Sequence, residues 1–115
     1  MTWKNPYLIK IRDGADYRGR GILIKRLVHP TTLGSDQLTV SIAYQNPGEE
    51  VERHQHSYEE AYFVLQGEGV MTVGDSPEFP ITRYDCIYTP ANTPHWTKST
   101  GDEPLVLLCA ITPPP

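Results

Sequence analysis

Residues 54–60, HQHSYEE, place two of the four histidines of the chain and two carboxylates within one short segment. Residues two apart on a β-strand point to the same side, so His54 and His56 share a face. Glu59 and Glu60 are neighbours, so only one of them faces these histidines after a turn. Divalent transition metals bind imidazole and carboxylate groups in proteins. The segment therefore predicts part of a metal site, and the alternative is an ordinary polar turn.

A further ligand must come from a distant part of the chain. His95 directly follows the stiff loop PANTP, residues 90–94, and is the candidate. His29 has no partner in the sequence pattern, and we expect it to be exposed or capped by a neighbour. Each histidine taken singly is better explained by a surface or core position, but the set at this spacing favours metal ligation. The predicted ligands are therefore His54, His56, His95 and one of the two carboxylates, Glu59 or Glu60.

The sequence around this segment predicts β-strands. Residues 38–45, LTVSIAYQ, alternate between apolar and polar side chains and predict a half-buried strand with Tyr44 on its apolar face. No segment shows a sustained helical period, and the chain contains 11 prolines. Many short strands at this spacing predict an antiparallel sandwich or a small barrel. Further strands are predicted at residues 22–29, 51–56, 61–66, 70–73, 86–89, 95–99 and 105–111.

At these positions the chain resembles the cupin family. The first cupin motif is Gly, five residues, His-x-His, three or four residues, Glu, six residues, Gly, and all of its positions are matched. They are Gly48, His54, His56, Glu60 and Gly67. The second motif is matched by Pro90 and His95, while other residues replace its two glycines and its last Asn. These replacements are Tyr84, Asn92 and Ser99. Asn92 is a mild departure, because Asn tolerates the positive φ that a turn glycine supplies.

The resemblance extends over about residues 38–111 and implies an all-β fold. That fold is the double-stranded β-helix, or jelly roll, an antiparallel sandwich with a metal ion inside one end. The same resemblance implies one divalent transition metal ion per subunit, which can be Fe, Mn, Co, Ni, Cu or Zn. The resemblance implies that Glu60 is the carboxylate ligand beside His54, His56 and His95. Three imidazoles and one carboxylate on an octahedral ion would leave two positions open.

Length and charge limit the organisation of the chain. Its 115 residues suit one domain, residues 1–115, in which residues 1–30 form an N-terminal arm and the first strands. The net charge is −4, and the basic residues are interleaved with Gly, Asp and Ile, so a nucleic-acid partner is disfavoured. We expect the basic arm to lie on the acidic body of its own or a partner subunit. Its basic residues are Lys4, Lys10, Arg12, Arg18, Arg20, Lys25 and Arg26.

Cysteine usage and hydropathy predict the compartment. Cys86 and Cys109 lie in apolar surroundings without CxxC spacing, and this favours buried, reduced thiols over a disulfide. The longest apolar run, residues 105–111, is too short for a membrane span, and no secretory signal is recognisable. We expect a cytoplasmic protein without a membrane partner.

Residues near the predicted ligands are candidates for a substrate pocket. Tyr44 and Tyr62 are candidate catalytic residues and, with Trp96 and Arg83, candidate pocket residues, the alternative being packing or surface roles. Strands 61–66 and 105–111 are apolar on both faces and need cover on both. They therefore predict a homodimer through contact between sheets.

The ligand set with open coordination predicts a metal-dependent enzyme acting on a small, oxygenated organic substrate. The leading hypothesis is an oxidoreductase of the dioxygenase type. One alternative is a redox-neutral isomerase, cyclase or lyase that uses the metal as a Lewis acid. The other is a non-catalytic, metal-dependent module that binds a metabolite.

Overall fold

The structure, a computed structural model, describes residues 5–114, so Lys4 of the predicted arm lies outside the described residues. A short 3₁₀ turn at Ile11–Asp13 precedes the strands. The strands that follow are β1 (Ala15–Gly19), β2 (Ile22–Val28), β3 (Thr39–Gln45), β4 (Glu50–His54), β5 (Glu59–Gln66), β6 (Glu68–Val73), β7 (Phe79–Thr82), β8 (Cys86–Thr89), β9 (His95–Ser99) and β10 (Leu105–Thr112).

The strands form two antiparallel sheets. One sheet has the order β1-β2-β3-β10-β5-β8, and the other has the order β4-β9-β6-β7. Between β3 and β10 the chain crosses from one sheet to the other at every connection except that from β6 to β7, in the manner of a jelly roll, which confirms the predicted fold class. Two strands, β1 and β7, were not predicted. Both lie at a sheet edge, where β1 carries exposed polar side chains and β7 contains Pro80, so neither shows the usual strand signal.

The prediction about the inward face of β3 is wrong. Thr39, Ser41, Ala43 and Gln45 are the side chains of one face, and all four are buried. Tyr44, on the opposite face, is only partly buried. The reversal has a physical cause, because Gln45 accepts a hydrogen bond from Thr97 Oγ1 of the facing sheet at 3.1 Å. A satisfied polar group of this kind can be buried at little cost.

Apolar side chains fill the part of the interior that lies away from the metal-site segment. Val64, Met71 and Leu105 are fully buried, and Ile81 is nearly so. These residues come from both sheets, so their packing holds the two layers together. Burial of each such side chain contributes roughly 1.5–3 kcal/mol.

The outer face of the larger sheet is apolar and partly exposed. Phe63, Leu65, Val106 and Leu108 are only half-buried there. This is the face through which we expect a second copy of the chain to bind, and the homodimer stays a prediction.

The N-terminal segment contains a β-hairpin. Strand β1 pairs with β2 in the register Gly19↔Ile22, so Arg20 and Gly21 form a two-residue turn. Their φ angles are 51° and 87°, the combination that a type I′ turn requires. Arginine at such a position costs on the order of 1 kcal/mol, and Asn would be better suited to it.

Both cysteines are free, but only one is buried. Cys109 lies in the interior, whereas Cys86 is exposed, so the prediction of two buried thiols is wrong for Cys86. Cys86 belongs to β8, the edge strand of the larger sheet, and this position leaves its outer side uncovered. Among residues 5–114, no helix is long and apolar enough to cross a membrane.

Gly67, in the tight turn between β5 and β6, provides a test of the fold. It has a φ of +83°, and a Cβ there would lie 2.4 Å from the backbone oxygen of Pro104. We expect Gly67→Ala to lower the free energy of unfolding by roughly 2–4 kcal/mol in urea denaturation. The matched control is Gly48→Ala, with a φ of +86° and open space around the added methyl, which we expect to cost about 1 kcal/mol. Equal losses in both variants would contradict the steric explanation.

Candidate metal centre

Three histidines converge at one end of the sandwich. His54 ends β4 and His95 begins β9, and the antiparallel register places their Cα atoms opposite each other. Their ring centroids are 4.3 Å apart. His56 lies in the link that follows β4, with its ring centroid 4.8 Å from that of His95. One nitrogen from each histidine lies within 4.8 Å of the corresponding nitrogens of the other two.

Backbone carbonyl groups orient all three imidazole rings. The Nδ1 atoms of His54, His56 and His95 lie 2.7, 3.0 and 2.9 Å from the carbonyl oxygens of Glu52, Tyr58 and Thr93, respectively. A carbonyl oxygen can only accept, so each Nδ1 carries the proton and donates it. In a neutral ring with Nδ1 protonated, Nε2 presents a lone pair, which is the form that binds a metal ion.

Glu60 supplies a carboxylate to the same place, whereas its neighbour Glu59 accepts a hydrogen bond from Tyr88 at the surface. Glu60 Oε1 lies 3.1 Å from His56 Nε2 and 3.7 Å from His95 Nε2. The hydroxyl of Tyr62 donates to the same Oε1 at 2.6 Å. Glu60 is 7% exposed, so its charge is largely removed from water.

This donor set fits a divalent transition metal ion. His95 Nε2 is buried and has no hydrogen-bond partner among the described residues. His56 Nε2 also faces a carboxylate oxygen of Glu60. With His56 in its metal-binding form both atoms would be acceptors, and a cation between them would remove their repulsion. Metal–ligand distances of about 2.1 Å place two ligands at right angles about 3.0 Å apart, close to the 3.1 Å observed for His56 and Glu60. Imidazole and carboxylate together suit Fe, Mn, Co, Ni, Cu and Zn, and they do not select among these ions.

Burial keeps two of the histidines in their neutral form. It lowers the pKa of His54 to about 4, and the nearby positive charge of Arg20 acts in the same direction. The hydrogen bond to the Glu52 carbonyl opposes this shift without cancelling it. Burial likewise lowers the pKa of His95. Both side chains are therefore neutral at physiological pH, as metal ligands must be.

A backbone hydrogen bond fixes the loop before β9 to the His-x-His segment. Asn92 N–H donates to the carbonyl oxygen of His56 at 2.7 Å. Asn92 has a φ of 56° and Tyr84 a φ of 75°, so both residues keep the left-handed conformation of the glycines that they replace. The ring of His56 also stacks on that of Tyr58, with centroids 3.8 Å apart. The motif geometry is thus retained although its glycines are absent.

A cavity of about 320 Å³ adjoins the histidines, with His54, His56 and Glu60 in its wall. Its volume is at the lower end of the range for small-molecule sites, about 300–1,000 Å³. Much of the remaining wall is aliphatic and comes from both sheets and the N-terminal hairpin. These aliphatic residues are Ile22, Ile24, Ala43, Val51, Leu107 and Ile111.

The structure places one of the four predicted pocket residues in this cavity. Tyr62 lies in the wall, two residues after Glu60 on the same face of β5. Tyr44, Trp96 and Arg83 do not line this cavity. Tyr44 and Trp96 each follow or precede an inward residue on a strand and so point outward, and Arg83 lies in the turn before β8, where it contacts Tyr84.

Several cavity residues were not predicted from the sequence. Tyr17, Arg20 and Arg26 come from the β1–β2 hairpin, and Tyr58 and Cys109 are two further examples. Strand β1 lacks apolar alternation, so the face of this hairpin could not be assigned. The Arg-Gly turn was the one available signal. His29, by contrast, is capped as predicted, with its Nδ1 2.8 Å from Thr31 Oγ1.

Comparisons with known proteins identify the family model and the fold that this chain matches. The family model described as "Cupin domain" matches residues 42–111, which contain all four predicted ligands. Among solved structures, a predicted oxalate decarboxylase from Thermotoga maritima superimposes with a TM-score of 0.79 at 23% identity. That match covers 92% of this chain and 98% of the other, and it shows the shared fold.

Relatives found by sequence include uncharacterised and enzymatic proteins. The chain is 35% identical over 110 residues to the uncharacterised protein MJ1618 of Methanocaldococcus jannaschii, covering 95% of this chain and 80% of that protein. It is 31% identical over 97 residues to the dimethylsulfoniopropionate lyase DddQ of Ruegeria pomeroyi, covering 84% of this chain and 48% of the lyase. It is 34% identical over 68 residues to a gentisate 1,2-dioxygenase of Ralstonia sp, covering 59% of this chain and 19% of the dioxygenase.

Removal of one ligand tests the metal centre directly. We expect protein purified without chelators to contain about one metal ion per chain, and His54→Ala to reduce this content at least ~10-fold, because one imidazole is lost. Elemental analysis by inductively coupled plasma mass spectrometry measures the content. The matched control is His29→Ala, which removes a histidine outside the cluster and should leave the metal content unchanged. Full metal content in His54→Ala would contradict the assignment.

The lowered pKa of His54 predicts how the stability of the metal-free protein depends on pH. In the unfolded chain this imidazole takes up a proton near its usual pKa of 6.5, whereas the folded protein resists protonation down to about pH 4. The unfolded state therefore binds more protons within this window, and the free energy of unfolding falls as pH drops from about 6.5 to 4. Urea denaturation at several pH values measures the slope. We expect a shallower slope in His54→Ala, and an unchanged slope would contradict the origin proposed for it.

Proposed function

We propose that this chain, which belongs to the cupin family, is a metal-dependent enzyme that acts on a small organic molecule by dioxygenase-type chemistry. One observation carries the proposal: the inward nitrogens of His54, His56 and His95 converge with the Glu60 carboxylate beside a cavity of about 320 Å³. A divalent transition metal bound there would supply open coordination positions for dioxygen and a chelating substrate.

The side chains of the cavity have distinct parts in this proposal. The histidines are held by their Nδ1–H bonds to the backbone, so their ring orientation does not depend on the ligand. The aliphatic wall excludes water around the substrate, which strengthens electrostatic interactions inside the cavity.

Tyr62 is the proposed proton donor. Burial, with the adjacent Glu60 charge, raises the pKa of its hydroxyl well above the ordinary value, so the hydroxyl keeps its proton at neutral pH. It donates to Glu60 Oε1 at 2.6 Å and lies in the cavity wall. We assign it to position the carboxylate and to act as a general acid towards a substrate oxygen. Tyr44 lies on the outer face of β3, so we assign it no role as a proton donor.

A redox-neutral lyase or isomerase is the second candidate. The similarity to the lyase DddQ extends over 84% of this chain, against 59% for the dioxygenase, and this supports keeping a second candidate. In that reaction the ion would polarise a substrate oxygen, and Tyr62 would exchange the proton.

Oxygen consumption separates the two candidates. We expect protein loaded anaerobically with Fe(II) to consume dioxygen in the presence of a phenolic or diketone substrate, measured with an oxygen electrode. We expect His54→Ala to lose at least ~100-fold of this rate because the ligand set is broken, and His29→Ala to keep it. Product analysis by mass spectrometry should show incorporation of oxygen atoms from labelled dioxygen.

Product formation without oxygen uptake would favour the lyase or isomerase. To make that measurement, the same phenolic and diketone compounds are incubated under argon with the Mn(II)- or Zn(II)-loaded protein. Absence of any product in both atmospheres, with full metal content, would contradict the proposed enzyme.

A further inference from the structure

We propose that Arg20 and Arg26 form a carboxylate-binding site in the wall of the metal-centre cavity, so that the substrate is a small carboxylate with an apolar body. The inference rests on the proposed function for the reaction that the ligand undergoes. The arginine site itself is defined by the β1–β2 hairpin and can be tested by binding alone.

The charges of the cavity wall favour an anionic ligand. Arg20 and Arg26 both line the cavity, and Glu60 is the one acidic residue of the described lining. Its Oε1 already accepts the hydroxyl of Tyr62 and faces His56. The positive wall contrasts with the chain as a whole, which has a net charge of −4.

The two arginines are also without an acidic partner. Within residues 5–114, neither has an Asp or Glu oxygen within 4.0 Å of its side-chain nitrogens, whereas Lys25 of the same hairpin pairs with Asp16 at 3.2 Å. A guanidinium presents several N–H donors in one plane, and a carboxylate can accept two of them at once. Arg20 and Arg26, which have no acidic partner, therefore have N–H donors available for a ligand carboxylate.

Arg26 is held in place before any ligand binds. Its guanidinium carbon lies 4.2 Å above the centroid of the Tyr17 ring, a cation–π contact within the hairpin. Stacking occupies one face of the guanidinium and leaves its N–H edge available. A side chain fixed in this way loses little conformational entropy when it binds a ligand.

The position of Arg20 is not explained by the requirements of its turn. Arginine at a φ of 51° is disfavoured, and Asn would satisfy a type I′ turn at this position. Arg18, two residues earlier, instead donates to the carbonyl oxygen of Gly21 at 3.4 Å and does not line the cavity. A disfavoured backbone conformation that brings a cation to a cavity wall is the pattern expected of a functional residue.

The rest of the wall defines the remainder of the ligand. Ile22 and Ile24 of β2 lie on the same hairpin as the arginines, and Val51 and Leu107 complete an aliphatic surface. A ligand that uses the whole cavity has a carboxylate at the arginines and an apolar body on these side chains. A group that chelates the ion would lie at the histidine end.

Calorimetry with a matched pair of probes tests this site. The zinc-loaded protein is titrated with phenylacetate and with the neutral isostere phenylacetamide. We expect Arg20→Gln and Arg26→Gln each to weaken phenylacetate binding by roughly 10-fold or more, and to leave phenylacetamide binding unchanged. The matched control is Arg18→Gln, which removes the same charge from the same hairpin and should change neither affinity.

A carboxylate can also bind the metal directly, so the titrations are repeated after chelation of the zinc. We expect the loss caused by Arg20→Gln and Arg26→Gln to persist in the metal-free protein. Loss of phenylacetate affinity in Arg18→Gln equal to that in Arg20→Gln would overturn the site, since it would indicate a diffuse charge effect. Unchanged phenylacetate affinity in both cavity variants would also overturn it. Arginine-dependent binding in a protein that turns over no substrate would retain the site and reject the enzyme.

Arg20→Asn gives a second measurement that does not depend on the reaction. Asn tolerates the turn conformation better, so we expect the melting temperature to rise by roughly 2–5 °C while phenylacetate affinity falls at least ~10-fold. A more stable protein with weaker carboxylate binding would separate a functional residue from a structural one. A rise in melting temperature with unchanged affinity would overturn the role of Arg20.

Discussion

The register between β4 and β9 is the constraint on which the metal centre depends. It places His54 opposite His95, although the two residues lie far apart in the chain. A shift of one residue in either strand would turn one imidazole to the outer face of the sheet. The backbone hydrogen bond from Asn92 N–H to the His56 carbonyl oxygen then holds the His56 segment close to His54 and His95. The site is therefore a product of strand pairing, and the backbone carbonyls that hold each Nδ1–H complete it.

Much of the histidine cluster could be predicted from the sequence because its determinants are local. Alternation along a strand allows only one of Glu59 and Glu60 to turn inward, and the spacing of the first motif selects Glu60 and the histidine pair. The glycine positions of the second motif were harder to interpret, since Tyr84 and Asn92 occupy them. The structure shows that both residues adopt the same backbone conformation as glycine, so the loop keeps its path.

The cavity could be predicted far less well, because its wall reverses the usual rule for β-sandwiches. The inward face of β3 carries Ser41 and Gln45, whereas Tyr44 lies outside. Hydropathy alone assigns these faces the other way round. The bond between Gln45 and Thr97 that permits the reversal joins residues distant in sequence, so no local pattern reports it. Strand β1 was not predicted for a related reason. It is an edge strand with exposed side chains, so its sequence does not alternate between apolar and polar residues.

The edge position of the β1–β2 hairpin separates two kinds of change that the protein can accept. The hairpin is bonded to the rest of its sheet through β3 alone, while the histidines belong to β4, β9 and the link after β4. Substitutions within the hairpin can therefore accumulate without disturbing the ligand framework. A lineage could diversify the molecules it accepts by altering this one peripheral segment, while the inner chemistry is inherited intact.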